Sequence, residues 1–241
     1  MKTLINTLLL LVLIIPYTSA QMVHFAEGET IVDIQQNPHT QDVWVLIGRG
    51  VNDNEIRVYN SSREFVYSIE CHGMTNRGYL RKILFSKNNN DRVFILSSNM
   101  LFIYTRSNNS VVTHELGKQV REKYPLLSLQ SFNSFVQTPG YFWIAIGRWS
   151  TSTPEGGLLK VNASNFKIEK LYKRNWPDWP DDQPKHIFEC LTDTDRDRLW
   201  VTTDKGLYLF NYQTEEWAKL DTLWNRELQY PDDQYKEFHS V

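Results

Sequence analysis

Nine residues have the types that could do recognition chemistry: Arg49, His72, Arg77, Arg148, Trp149, Trp176, Asp178, Trp179 and Trp224. All stand in connecting stretches between apolar runs. Tryptophan offers a flat stacking surface and arginine a planar fork of donors, the pair of residue types favoured where a surface binds something. Sugars in particular are held by an aromatic platform with planar polar side chains around it. Trp176 and Trp179 also have a plainer reading, as packing residues that fasten a long insert.

Reactive constellations are harder to find. His24, His39, His72, His114, His186 and His239 show no i,i+4 pairing and no H-E-x-x-H spacing. No G-x-S-x-G turn exists. Asp178, Asp181 and Asp182 form an acidic cluster that could hold a cation, but aspartates beside prolines are more often turn formers. Cys71 and Cys190 stand far apart without metal-ligand spacing, and two cysteines make no disulfide framework. The expectation is two separate thiols, no metal, no cofactor and no catalytic residue, hence a binding protein rather than an enzyme.

The elements that carry these loops repeat. One unit reads TIVDIQ, VWVLI, EIRVY and EFVYSI between Thr30 and Ile69. The same four-part pattern recurs over Leu80–Leu116, Ser131–Tyr172 and Ile187–Leu220, each part a short β-branched or aromatic run bounded by polar turns. The second run carries an aromatic at Trp44, Phe94, Trp143 and Trp200, separated by 50, 49 and 57 residues. WVLIGR at Trp44–Arg49 and WIAIGR at Trp143–Arg148 echo one another two units apart. Four strands repeating at about 40–50 residues are the signature of an all-β propeller, one blade per unit. A β-sandwich does not repeat a whole four-strand unit, and a β-solenoid uses shorter coils. Blades are predicted near 30–70, 80–116, 131–172 and 187–220. Trp44, Phe94, Trp143 and Trp200 are expected in the core between blades. In such a disc, the loops joining strands two and three share a face with the connectors between blades. All nine recognition residues fall in those loops. No helical stripe of useful length appears, although Arg121-Glu122-Lys123 suits a helical turn.

Composition and ends set further bounds. The formal net charge of −2 and the lack of any basic run argue against a nucleic-acid surface. Lys2, the apolar Leu8–Ile15 and the small residues Thr18-Ser19-Ala20 read as a secretory signal peptide over 1–20, leaving no membrane span in the mature chain. Residues 21–241 then form the propeller domain, secreted or periplasmic. Pro180-Asp-Asp-Gln ahead of unit four recurs as Pro231-Asp-Asp-Gln. Residues 230–241 therefore read as the start of a further blade. An incomplete propeller, a ring closed by the tail and an oligomer all stay open. Asn60-Ser-Ser, Asn108-Asn-Ser and Asn162-Ala-Ser are sequons placed in turns.

The segment DRDRLWVTTDKGLYLFNYQTEEW resembles the two-component regulator propeller repeat, with Asp197, Leu199, Trp200, Thr203, Gly206, Leu207 and Asn211 on its motif positions. Gly157 and Leu158 match in unit three, whereas Glu55-Ile56 and Met100-Leu101 replace Gly-Leu in units one and two. The resemblance implies a periplasmic or extracellular sensor module, similar to those of hybrid histidine kinases that detect polysaccharide fragments. Neither a kinase nor a span follows the repeats in this sequence, so ligand or partner binding is the function expected. A carbohydrate or a protein is the expected partner, with a protein–protein scaffold as the alternative and a propeller hydrolase or lyase as the lesser one.

Overall fold

The apolar runs become strands for the reason their composition gives: β-branched and aromatic side chains fit a pleated surface packed on both faces. The computed structural model describes residues 25–26, 28–49, 53–71, 79–125, 131–147, 156–173, 184, 186–193 and 196–220. The signal segment 1–20 and the tail 230–241 lie outside them. Among the described residues sixteen strands form four antiparallel four-stranded sheets, each a meander in chain order. Blade one holds β1 (Ile31–Gln36), β2 (Val43–Gly48), β3 (Asn54–Tyr59) and β4 (Phe65–Glu70). Blade two holds β5 (Leu80–Phe85), β6 (Arg92–Ser97), β7 (Leu101–Thr105) and β8 (Ser110–His114). Blade three holds β9 (Ser131–Thr138), β10 (Tyr141–Gly147), β11 (Gly157–Asn162) and β12 (Ile168–Lys173). Blade four holds β13 (Ile187–Asp193), β14 (Arg198–Thr203), β15 (Gly206–Asn211) and β16 (Glu216–Lys219). The molecule is a four-bladed β-propeller whose innermost strands β1, β5, β9 and β13 pack one on the next. Among the described residues an α-helix, α1 (Leu116–Lys123), bridges blades two and three at the position where a helical turn was expected. Gly117 begins it under the backbone of Asn99, which a Cβ would meet at 2.9 Å.

Blades are joined by apolar stacks centred on the aromatic of the second strand. Trp44 meets Phe85 and Tyr104 of blade two edge-on, at 5.3 and 6.1 Å between ring centroids. Phe94 meets Phe142 at 4.7 Å, and Trp143 meets Phe210 at 5.1 Å. The leading face of blade one, with Val43, Val45, Ile47 and Tyr59, is covered by Phe25 and Ala26. Phe25 stands 4.9 Å from Tyr59, edge-on, and so takes the place that a preceding blade's aromatic would fill.

One core assignment needs correction. Trp44, Phe94 and Trp143 are buried, but Trp200 is only half-buried. Its predecessors each face a following blade; among the described residues no further blade stands against β14, so part of the Trp200 ring remains in water.

Motif positions have local jobs. Gly206 turns at φ 114°, in the region that side chains disfavour. Thr203 Oγ1 accepts from Lys205 N and donates to Gly206 O, both at 3.0 Å. Asn211 Oδ1 accepts from Gln213 N and Thr214 N, at 2.9 and 3.1 Å, forming the turn into β16. The Asn162 carboxamide does the same for Ser164 N at 3.0 Å.

The difference between the two tryptophans is measurable. Trp143→Ala is expected to cost about 3–5 kcal/mol, the range for a fully buried large aromatic. Trp200→Ala should cost about half that, because burial energy follows the area removed from water. Urea unfolding of both variants checks this, and equal losses would contradict the packing described.

Candidate functional site

Every innermost strand breaks its pairing register at the same level. The irregularities fall between Ile31 and Asp33, Leu80 and Lys82, Phe132 and Ser134, and Ile187 and Glu189. A bulge of this kind re-aims the next side chain. Here the residues that follow, Asp33, Lys82, Ser134 and Glu189, occupy equivalent positions in the four blades.

They converge. Lys82 Nζ donates to Ser134 Oγ at 3.0 Å and pairs closely with Glu189. The Ser134 hydroxyl also donates to Glu189. Asp33 Oδ2 accepts from the Ile83 backbone N–H at 2.7 Å, and its Oδ1 accepts from Gln35 Nε2 at 2.9 Å. A polar ring thus links blade one to two, two to three, and three to four. Between blades four and one, the ring instead sets Glu189 near Asp33, two like charges. The Asp33 carboxyl is raised above its ordinary range, chiefly by burial, with Glu189 adding to the shift and the hydrogen bonds opposing it. Among the described residues this is the convergent polar site at the axis of the disc.

The ring's level matters. Innermost strands begin at the face onto which the loops between strands two and three also open, here called the upper face. Asp33, Lys82, Ser134 and Glu189 lie near the beginnings of β1, β5, β9 and β13, just below that face. Arg49, at the end of β2, stands on it. Its guanidinium pairs with Glu29 and with Glu55 at 3.0 Å, and Arg57 bonds the same two carboxylates at 3.2 Å each. The Arg49 guanidinium beside Glu29 holds that carboxyl below the usual range. Arg49 therefore belongs to a neutral, internally satisfied quartet. The other eight recognition residues, His72, Arg77, Arg148, Trp149, Trp176, Asp178, Trp179 and Trp224, lie outside the described residues, as does the Asp178, Asp181 and Asp182 cluster.

The axial ring was missed from sequence because its members share no residue type. Its signal was positional: each stands two to three residues into the first run of its unit, a polar residue at one register.

The two thiols are buried and free, and burial pushes both Cys71 and Cys190 up to about 12. Among the described residues no group of three or more His, Cys, Asp or Glu side chains is arranged to hold a metal. No described helix is long and apolar enough to cross a membrane.

A pH series tests the ring. Folded Asp33 keeps its proton at pH values where the unfolded chain has lost it, so this residue lowers stability as pH rises from the ordinary aspartate range through the raised folded value. Asp33→Asn retains an oxygen for Ile83 N–H and removes the ionisation. The variant should gain on the wild-type protein between pH 3 and pH 7, by unfolding in urea at each pH; parallel curves would contradict a raised Asp33.

Known proteins bear on the architecture. No family model matches the chain, and no curated protein matches it. Among solved structures, it is similar to the extracellular domain of the hybrid two component system BT3049 from B. thetaiotaomicron, at 16% identity and a TM-score of 0.54 over 85% of this chain and 25% of that one. The extracellular domain of BT4673 from the same organism gives 19% identity and a TM-score of 0.50 over 82% of this chain and 23% of that one. Luciferin-regenerating enzyme gives 13% identity and a TM-score of 0.50 over 74% of this chain and 55% of that one. The chain spans about a quarter of the length of the two sensor domains. At these identities the likeness is one of fold, and the fold is the propeller.

Proposed function

We propose that this chain is an exported propeller module that binds a ligand at its upper face, in the manner of the sensor part of a two-component system. The carrying observation is the polar ring of Asp33, Lys82, Ser134 and Glu189 just below that face. Four strands deviate from regular pairing at one level to place polar side chains where an apolar axis would have packed more simply. Lys82 is largely buried and Glu189 partly exposed, so the pair presents an anchored charge and a carboxylate that solvent reaches. The two B. thetaiotaomicron structures, both extracellular domains of signalling proteins, support the sensor reading and an extracellular or periplasmic location.

The ligand class we assign is polyhydroxylated, such as a glycan fragment. Hydroxyl groups can accept from lysine and donate to carboxylate at once, matching a ring that holds both charges. A polar segment of a partner protein is the second reading, favoured by the same accessible carboxylate. Catalysis is not part of the proposal: thiols held up to about 12 are protonated at neutral pH and are poor nucleophiles.

A glycan array with the purified protein should show binding to at least one glycan fragment, and Lys82→Ala should weaken it by tenfold or more. An array without binding, or binding indifferent to Lys82→Ala, removes the glycan reading at this face. Capture of a protein partner that depends on Lys82 would then favour the second.

A further inference from the structure

A second place on the molecule has the composition of a ligand site, on the opposite face. The turns between strands one and two and between strands three and four open there. Between blades one and two they form an open groove of about 450 Å³ lined by Tyr67, Asn90, Asp91, Tyr104, Arg106 and Ser107. Its size falls within the range of small-molecule sites.

The groove is built by rigid pieces. Asp91 accepts from Ser107 N and Ser107 Oγ, at 2.6 and 2.7 Å, which ties the two turns together. Those hydrogen bonds hold its carboxyl below the ordinary range, so it is ionised at neutral pH. Two of its four lone-pair positions are thereby used. Arg106 lies over the Trp44 ring at 5.9 Å and reaches Asn90 O at 3.4 Å and Asp42 Oδ2 at 3.5 Å. Both are long bonds, and they engage two of five guanidinium donors. Tyr104 is buried beneath, while Tyr67 on the edge strand β4 is 37% exposed.

These groups select by charge as well as shape. An anion would meet Asp91 and Asp42; a cation would meet Arg106. A neutral molecule with adjacent hydroxyls can donate to Asp91, accept from Arg106 and use the Asn90 amide both ways. Its apolar face can rest on the exposed Tyr67 ring, the arrangement in which aromatic area and planar polar groups serve one ligand. We propose that this groove is a separate saccharide subsite, taking a neutral mono- or disaccharide at the rim of blades one and two. It goes beyond the upper-face reading and stands without it.

Saturation-transfer NMR on the full protein, with glucose, galactose, xylose, maltose and cellobiose as probes, tests the assignment. At least one probe should receive saturation, and its affinity should fall tenfold or more in Tyr67→Ala and in Asn90→Ala. Neither residue is in the core, so both variants should keep the wild-type unfolding midpoint. Tyr67→Phe should retain binding, since the ring is the platform. No transfer to any probe overturns the proposal, as does transfer unaffected by Tyr67→Ala and Asn90→Ala. Binding lost in Lys82→Ala but kept in Tyr67→Ala would belong to the upper face, overturning this subsite while leaving the first reading intact.

Discussion

The rest of the structure depends on one repeated contact, the second-strand aromatic of a blade set edge-on against the next blade. A four-stranded blade is too thin to bury both of its own faces, so each face needs a neighbour. Trp44, Phe94 and Trp143 supply it in turn, and the clusters around them merge blade one with two, two with three, and three with four. Phe25 shows that the contact is a requirement of the face rather than of the blade. Among the described residues no blade stands against Tyr59, and there a single aromatic, Phe25, packs on it at 4.9 Å.

Apolar stacking sets the spacing of the blades but leaves their angular order to polar contacts. The bulged inner strands do that work. Asp33 reaches the backbone of blade two, Lys82 reaches blades three and four, and Ser134 reaches blade four. The Asn133 amide donates to Ile187 O at 2.9 Å, beside Gly147, where a Cβ would come within 2.6 Å of the same oxygen. A second clamp ties blades three and four away from the axis: Glu215 accepts from Lys160 at 3.2 Å and from Lys170 at 2.6 Å. Burial would raise the Glu215 carboxyl, but these bonds outweigh it and bring the value down to about 2. Taking charges out of water is unfavourable unless each is paired. The pairing here is between blades, so the same groups that need partners also fix which blade lies beside which.

How much of this was legible in the sequence follows from what repeats. Strand positions did, because an apolar run between Asn, Asp and Gly turns is a local pattern; the blade limits needed only small shifts, such as β8 ending at His114. The aromatic of strand two did, and three of its four members are core. Trp200 was misjudged because burial belongs to the neighbour as much as to the residue, and a motif says nothing about whether a neighbour follows. The axial ring could not be found by type, since Asp, Lys, Ser and Glu share only a register set by the bulge before them. The groove was hidden for a different reason. Asn90, Asp91 and Ser107 read as turn formers, and they are: Asp91 and Ser107 bond one another across two turns, and all three also line the groove.

The two candidate sites differ in how the fold can transmit a binding event. At the axis, a ligand that took a hydrogen bond from Lys82 would compete with Ser134 and Glu189, and so would loosen links among three blades at once. The rim groove has no such reach, because Asp91 and Ser107 tie together two turns of a single blade. Binding there would add to the contact between blades one and two through Tyr67 and leave the inner strands alone. A sensor needs a ligand whose contacts differ between two arrangements of the protein. On that criterion the proposed axial site, whose contacts join three blades, reaches more of the fold than the proposed rim groove.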